Sequence, residues 1–270
     1  MTHSHPHFIT QGPWSLIRIG SLTVPTYYLI ISLTTCLAIL WFYKRCEDRD
    51  LSQDTALNLS FFVLLFGFLG ARLTHVLFEA PSFYLDNPQA FFDIFAGGFV
   101  FYGGALLGYL TGLAYLIYKR LDPWPWHDVL APVVALGYSL GRLACFASGC
   151  CYGKICDLSW AIPLKQINLE SGLTSVVNRH PTQLYASGLE ALTLIFLLWL
   201  EKKKTFPGQV FLSWIILHSI GRLIMEAFRD DFRGSLVLGL SFSSFLSLIF
   251  LITAIYTYRR QKRSADPLLF

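Results

Sequence analysis

Arg72, Arg142 and Arg222 each stand inside a long apolar run. A guanidinium in a bilayer costs at least about 2.5 kcal/mol even on the most lenient insertion scale, so such a residue marks a functional site by default. Each arginine falls in the same third of its run, which predicts one polar level inside the membrane and a ligand of negative charge. A guanidinium offers a planar fork of donors that matches phosphate and carboxylate oxygens.

Other reactive side chains gather near these arginines. His218, Arg222, Glu226 and Arg229 share one helical face, where Glu226 pairs with Arg222 or Arg229, either to fix helix packing or to hold Arg222 rigid for a phosphate. Arg72, His75 and Glu79 repeat the arrangement in an earlier run, with a brace between Arg72 and Glu79 as the structural reading. Residues 141–153 (GRLACFASGCCYG) put Arg142, Cys145 and Gly149 on one face and end in glycines that let the backbone turn. Cys145, Cys150, Cys151 and Cys156 crowd that helix end, and Cys36 and Cys46 lie elsewhere. On an oxidising side the four invite a disulfide. Packing thiols, redox chemistry and a metal site stay open, although adjacent cysteines without a CxxC pair match common zinc spacings poorly. Arg179 to Tyr185 reads RHPTQLY, with Pro181 suited to a helix start and Thr182 and Gln183 near its free N–H groups. Gly97, Gly98, Tyr102, Gly103 and Gly104 open another run, where glycines admit a close partner helix or a ligand. Glu190 stands alone in mid-run, with no partner legible in the sequence. His3, His5 and His7 read as a tail rather than a metal site.

The elements that must position these groups are membrane helices. The chain is 54% hydrophobic and 14% charged, against about a quarter charged in globular domains. Apolar runs at 27–43, 56–78, 98–118, 128–149, 183–200, 208–228 and 235–258 each approach the roughly 20 residues that a bilayer requires. The expected fold is an all-α integral membrane protein with seven transmembrane helices. Lys44, Arg45 and Arg49 follow the first run, Lys119 and Arg120 the third, Lys202, Lys203 and Lys204 the fifth, and Arg259, Arg260, Lys262 and Arg263 the seventh. The opposite side holds only Arg18, Lys154, Lys165, Arg179, Arg229 and Arg233. Basic residues favour the cytoplasmic face, so the N-terminus is expected outside and the C-terminus in the cytoplasm. All three buried arginines then lie roughly 10 Å below the outer boundary. Residues 1–270 read as a single polytopic membrane domain with an external segment at 150–182, and residues 79–97 as an interfacial element. No cleavable signal peptide is expected, because the first residues lack a basic region, apolar core and small-residue cleavage site in sequence. The basic residues are sorted by membrane side rather than gathered in a patch, which argues against nucleic-acid binding.

From these residues alone three functions compete: an enzyme acting on a lipid phosphate, a membrane thiol–disulfide oxidoreductase using the cysteine cluster, and a non-catalytic lipid-binding or transport protein. Six ordered motifs resemble those of the bacterial prolipoprotein diacylglyceryl transferases. They are Gly12-Pro13 followed by Tyr27; Gly70-Ala71-Arg72; Gly97-Gly98 with Phe101-Tyr102-Gly103-Gly104; Gly141-Arg142 with Gly149 and Gly153; Arg179 to Tyr185; and Gly221-Arg222 with Glu226 and Phe228-Arg229. The resemblance implies transfer of the diacylglyceryl group of phosphatidylglycerol to the lipobox cysteine thiol of a secreted prolipoprotein, with release of glycerol phosphate. It implies a bacterial cytoplasmic membrane, an active site facing the outer leaflet and no cofactor. It makes Arg142 and Arg222 the essential pair, with Tyr102 in the third catalytic position. The implied substrate-binding set is Tyr27, Arg72, Gly103, Gly104, Gly149, Gly153, His180, Gln183, Tyr185, Glu226 and Arg229. Three positions depart from the family's usual residues: Tyr102 replaces histidine, Cys145 asparagine and Cys150 glutamate. A tyrosine with a pKa near ~10 is a poor general base at neutral pH, so His180 or the field of Arg142 is the expected activator of the thiol.

Overall fold

The computed structural model describes residues 8–12, 14–19, 22–93, 98–168, 172–230, 236–237 and 240–265. Pro13, Gly97, Arg233 and the tail histidines His3, His5 and His7 lie outside the described residues. The helices are α1 (Thr26–Glu47), α2 (Gln53–Thr74), α3 (Pro81–Asp86), α4 (Phe101–Tyr118), α5 (Pro123–Ser148), α6 (Thr182–Glu201), α7 (Gln209–Glu226) and α8 (Phe242–Ser264). Six segments are long and apolar enough to cross a bilayer: α1, α2 with the π turn that extends it to Glu79, α4, α5, α6 and α8. α7 has 18 residues, carries His218, Arg222 and Glu226, and is not among the six. The protein is therefore an all-α multi-pass membrane protein. Its strands are short and lie outside the candidate spans: β1 (Phe8–Gln11), β2 (Leu16–Ile19), β3 (Leu22–Pro25), β4 (Ile162–Asn168), β5 (Thr174–Arg179), β6 (Leu236–Val237) and β7 (Leu240–Ser241).

The chain divides into two compact units, Ile39–Trp126 and the remainder, Met1–Ala38 with His127–Phe270. In the first, Ser52 caps α2 by accepting a bond from the Thr55 amide at 3.2 Å, which satisfies one of the free N–H groups of a helix start. α2 and α4 then pack backbone to backbone. A Cβ added at Gly70 would lie 2.6 Å from the Gly103 carbonyl oxygen, and one at Gly104 would lie 2.8 Å from that of Gly67. Small residues allow this approach in lipid, where no hydrophobic force drives helices together. The 79–97 segment, expected to be interfacial, folds in its described part as the end of the π turn, α3 and a 3-10 turn over Pro88–Phe92.

In the second unit, α5, α6 and α7 meet around Ala131, Ala135, Leu197 and Val210, all fully buried. Ser139 and Ser187 bond each other's backbone carbonyls reciprocally, at 3.0 and 2.9 Å, and tie α5 to α6. Asp128, at the other end of α5, is also fully buried. It accepts from the amides of Gly208 at 2.9 Å and Phe211 at 3.0 Å and from Lys204 Nζ at 3.2 Å. It thus caps α7 from another helix, where a carboxylate complements the free N–H groups. The 150–182 segment carries β4 and β5, which form an antiparallel sheet completed by β1 from the start of the chain. Leu164 and Gln166 are buried and their neighbours Pro163 and Lys165 are exposed, the alternation of a one-sided strand.

Asp128→Ala removes two caps and an ion-pair partner together. It is expected to destabilise the protein by about 2–3 kcal/mol, read as a lower unfolding temperature in detergent micelles.

Candidate active site

The arginine of α5 is held by its own helix. Arg142 Nη2 donates to the Tyr138 hydroxyl at 2.6 Å, and its guanidinium carbon lies 4.6 Å from that ring's centre. One helical turn separates the two residues, so the contact follows from the α-helical repeat. Tyr138 in turn meets the His218 ring edge-on, with centroids 4.7 Å apart. His218 Nδ1 is 2.9 Å from Glu190 Oε2, and Glu190 Oε1 accepts from Trp214 Nε1 at 2.7 Å. Glu190, without a partner in the sequence reading, is thus buried between two donors from α7. Tyr138, Glu190, His218 and Arg222 line one small cavity. Arg142 reaches that wall only through Tyr138.

Arg222 lies on α7 and donates to the Ser243 hydroxyl of α8 at 2.6 Å. Its Nη2 is 3.6 Å from Glu226 Oε2, one of the pairings that the sequence spacing offers. Arg229 is buried just past the end of α7, where its backbone bridges antiparallel to Gly153. His180 and Gly153 also meet: the Gly153 amide donates to the His180 carbonyl at 3.1 Å, and the Lys154 amide to Phe228 at 2.8 Å. Arg179 is buried beneath this junction. It donates to the Gly153 carbonyl and to Asp230 Oδ2, each at 2.9 Å, and stacks over Tyr152.

The loop between α5 and Gly153 carries the thiols. Gly149 ends the helix at φ +84°, a left-handed position that suits glycine. The start of α6 grips the next two carbonyls: Gln183 Nε2 donates to Cys150 at 2.6 Å and Thr182 Oγ1 to Cys151 at 2.8 Å. Cys145, Cys150 and Cys151 place their sulfur atoms within 4.8 Å of one another. Cys156 lies outside that group, and all four cysteines from which a disulfide was expected are free thiols here. Hydrogen bonds from the Cys145 and Cys150 thiols, aided by the cationic Arg229 and Arg142, hold the Cys151 thiol well below its ordinary range. Tyr27, at the start of α1, is within electrostatic range of all three thiols.

His180 and Tyr185 face each other, Nδ1 to hydroxyl at 3.4 Å. With Trp160, Leu184, Ile224 and Phe228 they line an open apolar groove of about 600 Å³.

Arg72, Tyr102, Gly103 and Gly104 belong to the other unit. Arg72 is buried and donates to the carbonyls of Ala90, Phe91, Asp93 and Gly98 at 2.6–3.3 Å. Glu79, the brace expected for Arg72, pairs with His75 at 2.7 Å. Tyr102 sits half-buried in the first turn of α4. Gly103 and Gly104 pack that helix on α2.

The sequence profile described as prolipoprotein diacylglyceryl transferase matches residues 15–259. The chain belongs to that family. A phosphatidylglycerol–prolipoprotein diacylglyceryl transferase of Clostridium tetani is 32% identical over 244 residues, covering 90% of this chain and 95% of the relative. One from Bordetella avium is 34% identical over 257 residues, covering 92% and 95%. A third, from Clostridium perfringens and numbered 2, is 32% identical over 246 residues, covering 91% and 94%.

Within this diacylglyceryl transferase fold, sequence reasoning passed over Tyr138, Ser243 and the partners of Glu190. Tyr138 was legible as the residue one turn before Arg142. Ser243 and the Glu190 partners sit on other helices and leave no local signal. Gly153→Ala tests the loop junction, since a Cβ there would lie 2.6 Å from His180 Cβ and 2.7 Å from its carbonyl oxygen. We expect a loss of about 1–3 kcal/mol and faster proteolysis of the 150–182 segment.

Proposed function

We propose that this chain is a phosphatidylglycerol–prolipoprotein diacylglyceryl transferase of the bacterial cytoplasmic membrane, with its site in the outer leaflet. The observation that carries this reading is the pair Arg142 and Arg222. Arg142 donates to the Tyr138 hydroxyl and Arg222 to that of Ser243, Tyr138 and Arg222 line one small cavity, and the chain belongs to this family. Five N–H donors in a fixed planar fork suit both residues to a phosphodiester.

The thiol sulfur of the prolipoprotein attacks the glycerol carbon that bears the phosphate. Its electron pair forms the C–S bond, and the C–O pair leaves on glycerol phosphate. The thiol proton passes to solvent, so a singly charged diester and a neutral thiol yield a thioether, a doubly charged phosphomonoester and one proton. Negative charge grows on the leaving group, where Arg142 and Arg222 would neutralise it. The same cations favour the thiolate form of the incoming nucleophile. Glu226 orients Arg222, and Arg229, Tyr27, Gln183, Gly149 and Gly153 hold the loop and lipid headgroup around them. The apolar groove beside His180 and Tyr185 has the lining that an acyl chain requires. In the other unit Arg72 holds the carbonyls of Ala90, Phe91, Asp93 and Gly98, and Arg72, Tyr102, Gly103 and Gly104 are candidate substrate-binding residues by their match to the family's motifs. His180 is the candidate activator of the thiol.

We further read α7 as the sixth of seven spans. Its 18 residues rise about 27 Å, close to the ~30 Å hydrocarbon core. Its polar groups turn toward α6 and α8 rather than lipid, as intramembrane ionisable groups do. The N-terminus then lies outside and the C-terminus in the cytoplasm, with 150–182 external.

Complementation of a strain depleted of its own diacylglyceryl transferase tests this reading, with lipidation of a reporter prolipoprotein followed by gel shift. The wild-type chain should restore it. Arg142→Ala and Arg222→Ala should each lower the rate by about 10²–10³ at equal expression. Failure of well-expressed wild type to lipidate the reporter refutes the assignment. His180→Ala should slow turnover, and an unchanged rate removes His180 from the mechanism.

A further inference from the structure

We propose that Cys145, Cys150 and Cys151 form a binding site for one thiophilic d10 metal ion, Zn²⁺, with a coordination position left open for the substrate thiol. The second half of this proposal rests on the transferase reading; the metal site itself does not.

Among the described residues, these three thiols are the one group of His, Cys, Asp or Glu whose ligand atoms converge so closely, all within 4.8 Å. Zinc binds thiolate sulfur at about 2.3 Å, which puts sulfur atoms of a tetrahedral site about 3.8 Å apart. Each pair therefore needs to close by about 1 Å or less to share one ion. The linear spacing, with Cys150 beside Cys151, does not suggest zinc; the fold supplies the third ligand by folding the loop back on the last turns of α5.

The loop is built to hold that geometry. The Gly12 amide donates to the Ser148 carbonyl at 3.0 Å, and Gln183 and Thr182 fix the carbonyls of Cys150 and Cys151. Cys151 itself adopts φ +60°, a strained conformation for a residue with a side chain, which recurs where surrounding structure aims a functional group. The Ser148 hydroxyl donates to Cys150 Sγ at 3.2 Å, as the supporting groups of metal-bound thiolates do.

Charge favours the same ligand. Three thiolates and one Zn²⁺ carry a net single negative charge, and Arg142 and Arg229 lie within electrostatic range of Cys151. Two guanidiniums would oppose a bare cation site of neutral ligands, but they stabilise an anionic thiolate complex. Soft sulfur ligands select zinc or Cu⁺ over hard cations. Three protein ligands and one open position are the pattern of a catalytic rather than a structural zinc. The prolipoprotein thiol would fill that position as a thiolate, releasing its proton to water. Its electron pair then forms the C–S bond as the C–O pair leaves with glycerol phosphate, and the metal keeps its oxidation state.

The test uses the full chain, purified reduced in lipid nanodiscs and equilibrated with Zn²⁺, with Co²⁺ as a spectroscopic probe. We expect about one equivalent of zinc per chain, and a thiolate-to-cobalt charge-transfer band on Co²⁺ substitution. Cys145→Ser, Cys150→Ser and Cys151→Ser should each weaken binding by about tenfold or more, whereas Cys36→Ser and Cys156→Ser should leave it unchanged. Chelation should lower glycerol phosphate release by a similar factor, and added Zn²⁺ should restore it. Zinc binding that is absent or indifferent to all three serine variants overturns the site. So does a Cys145 disulfide to Cys150 or Cys151 in protein isolated from membranes without reductant. A transferase rate untouched by chelation overturns the open-position role while leaving the transferase reading intact. Zinc bound through the three thiols without glycerol phosphate release under any condition refutes the transferase reading instead.

Discussion

A charged group in a membrane-spanning segment must find partners inside the protein, because lipid supplies none. That constraint organises the structure. Asp128, Glu190, Arg142 and Arg222 all lie in α5, α6 or α7 or on the faces between them, and each is answered from a neighbouring turn or helix. Asp128 caps α7, Glu190 receives Trp214 and His218, and Arg222 reaches Ser243 on α8. The helices are thereby fixed by polar bonds that cannot be exchanged for water, while the apolar contact between them is supplied by small side chains such as Ala131 and Ala135.

The arginines divide by the kind of partner each was given. Arg72 is surrounded by four backbone carbonyls, which spend its donors on the shape of a loop. Arg179 sits against a carbonyl, a carboxylate and an aromatic face, and it fixes the junction of Gly153 with the end of α7. Arg142 donates to the hydroxyl of Tyr138, and Arg222 to that of Ser243 with Glu226 Oε2 at 3.6 Å. The partners of each arginine come from loops and other helices, and depth in the membrane does not reveal them.

This explains how far the sequence carried. Apolar runs and their flanking lysines and arginines mark the helices, because length and hydropathy are local properties. The i, i+4 pair of Arg222 and Glu226 was legible for the same reason. What escaped was nonlocal. The sheet of β1, β4 and β5 joins the start of the chain to a segment some 150 residues away, and no periodicity in either strand announces it. Glu190 looked solitary because its partners lie on α7. The four carbonyls that Arg72 holds were equally hidden, because spacing records depth and says nothing about which carbonyls a loop will bring back.

The 149–153 turn shows how one short loop answers to several demands at once. Its glycines are needed by the backbone: Gly149 for a left-handed helix end, Gly153 for contact with His180. Its carbonyls are needed by α6, whose first residues donate to them. The side chains of Cys150 and Cys151 carry the thiols, with Cys145 one turn below. Thr182 and Gln183 are buried, so their polar side chains gain as much from these bonds as the loop does. A loop tied at the Gly149 and Gly153 amides and at the Cys150 and Cys151 carbonyls presents its side chains with less freedom to move. Ligand groups therefore gain their affinity from order already established by folding, and the cost of arranging them does not fall on the binding step.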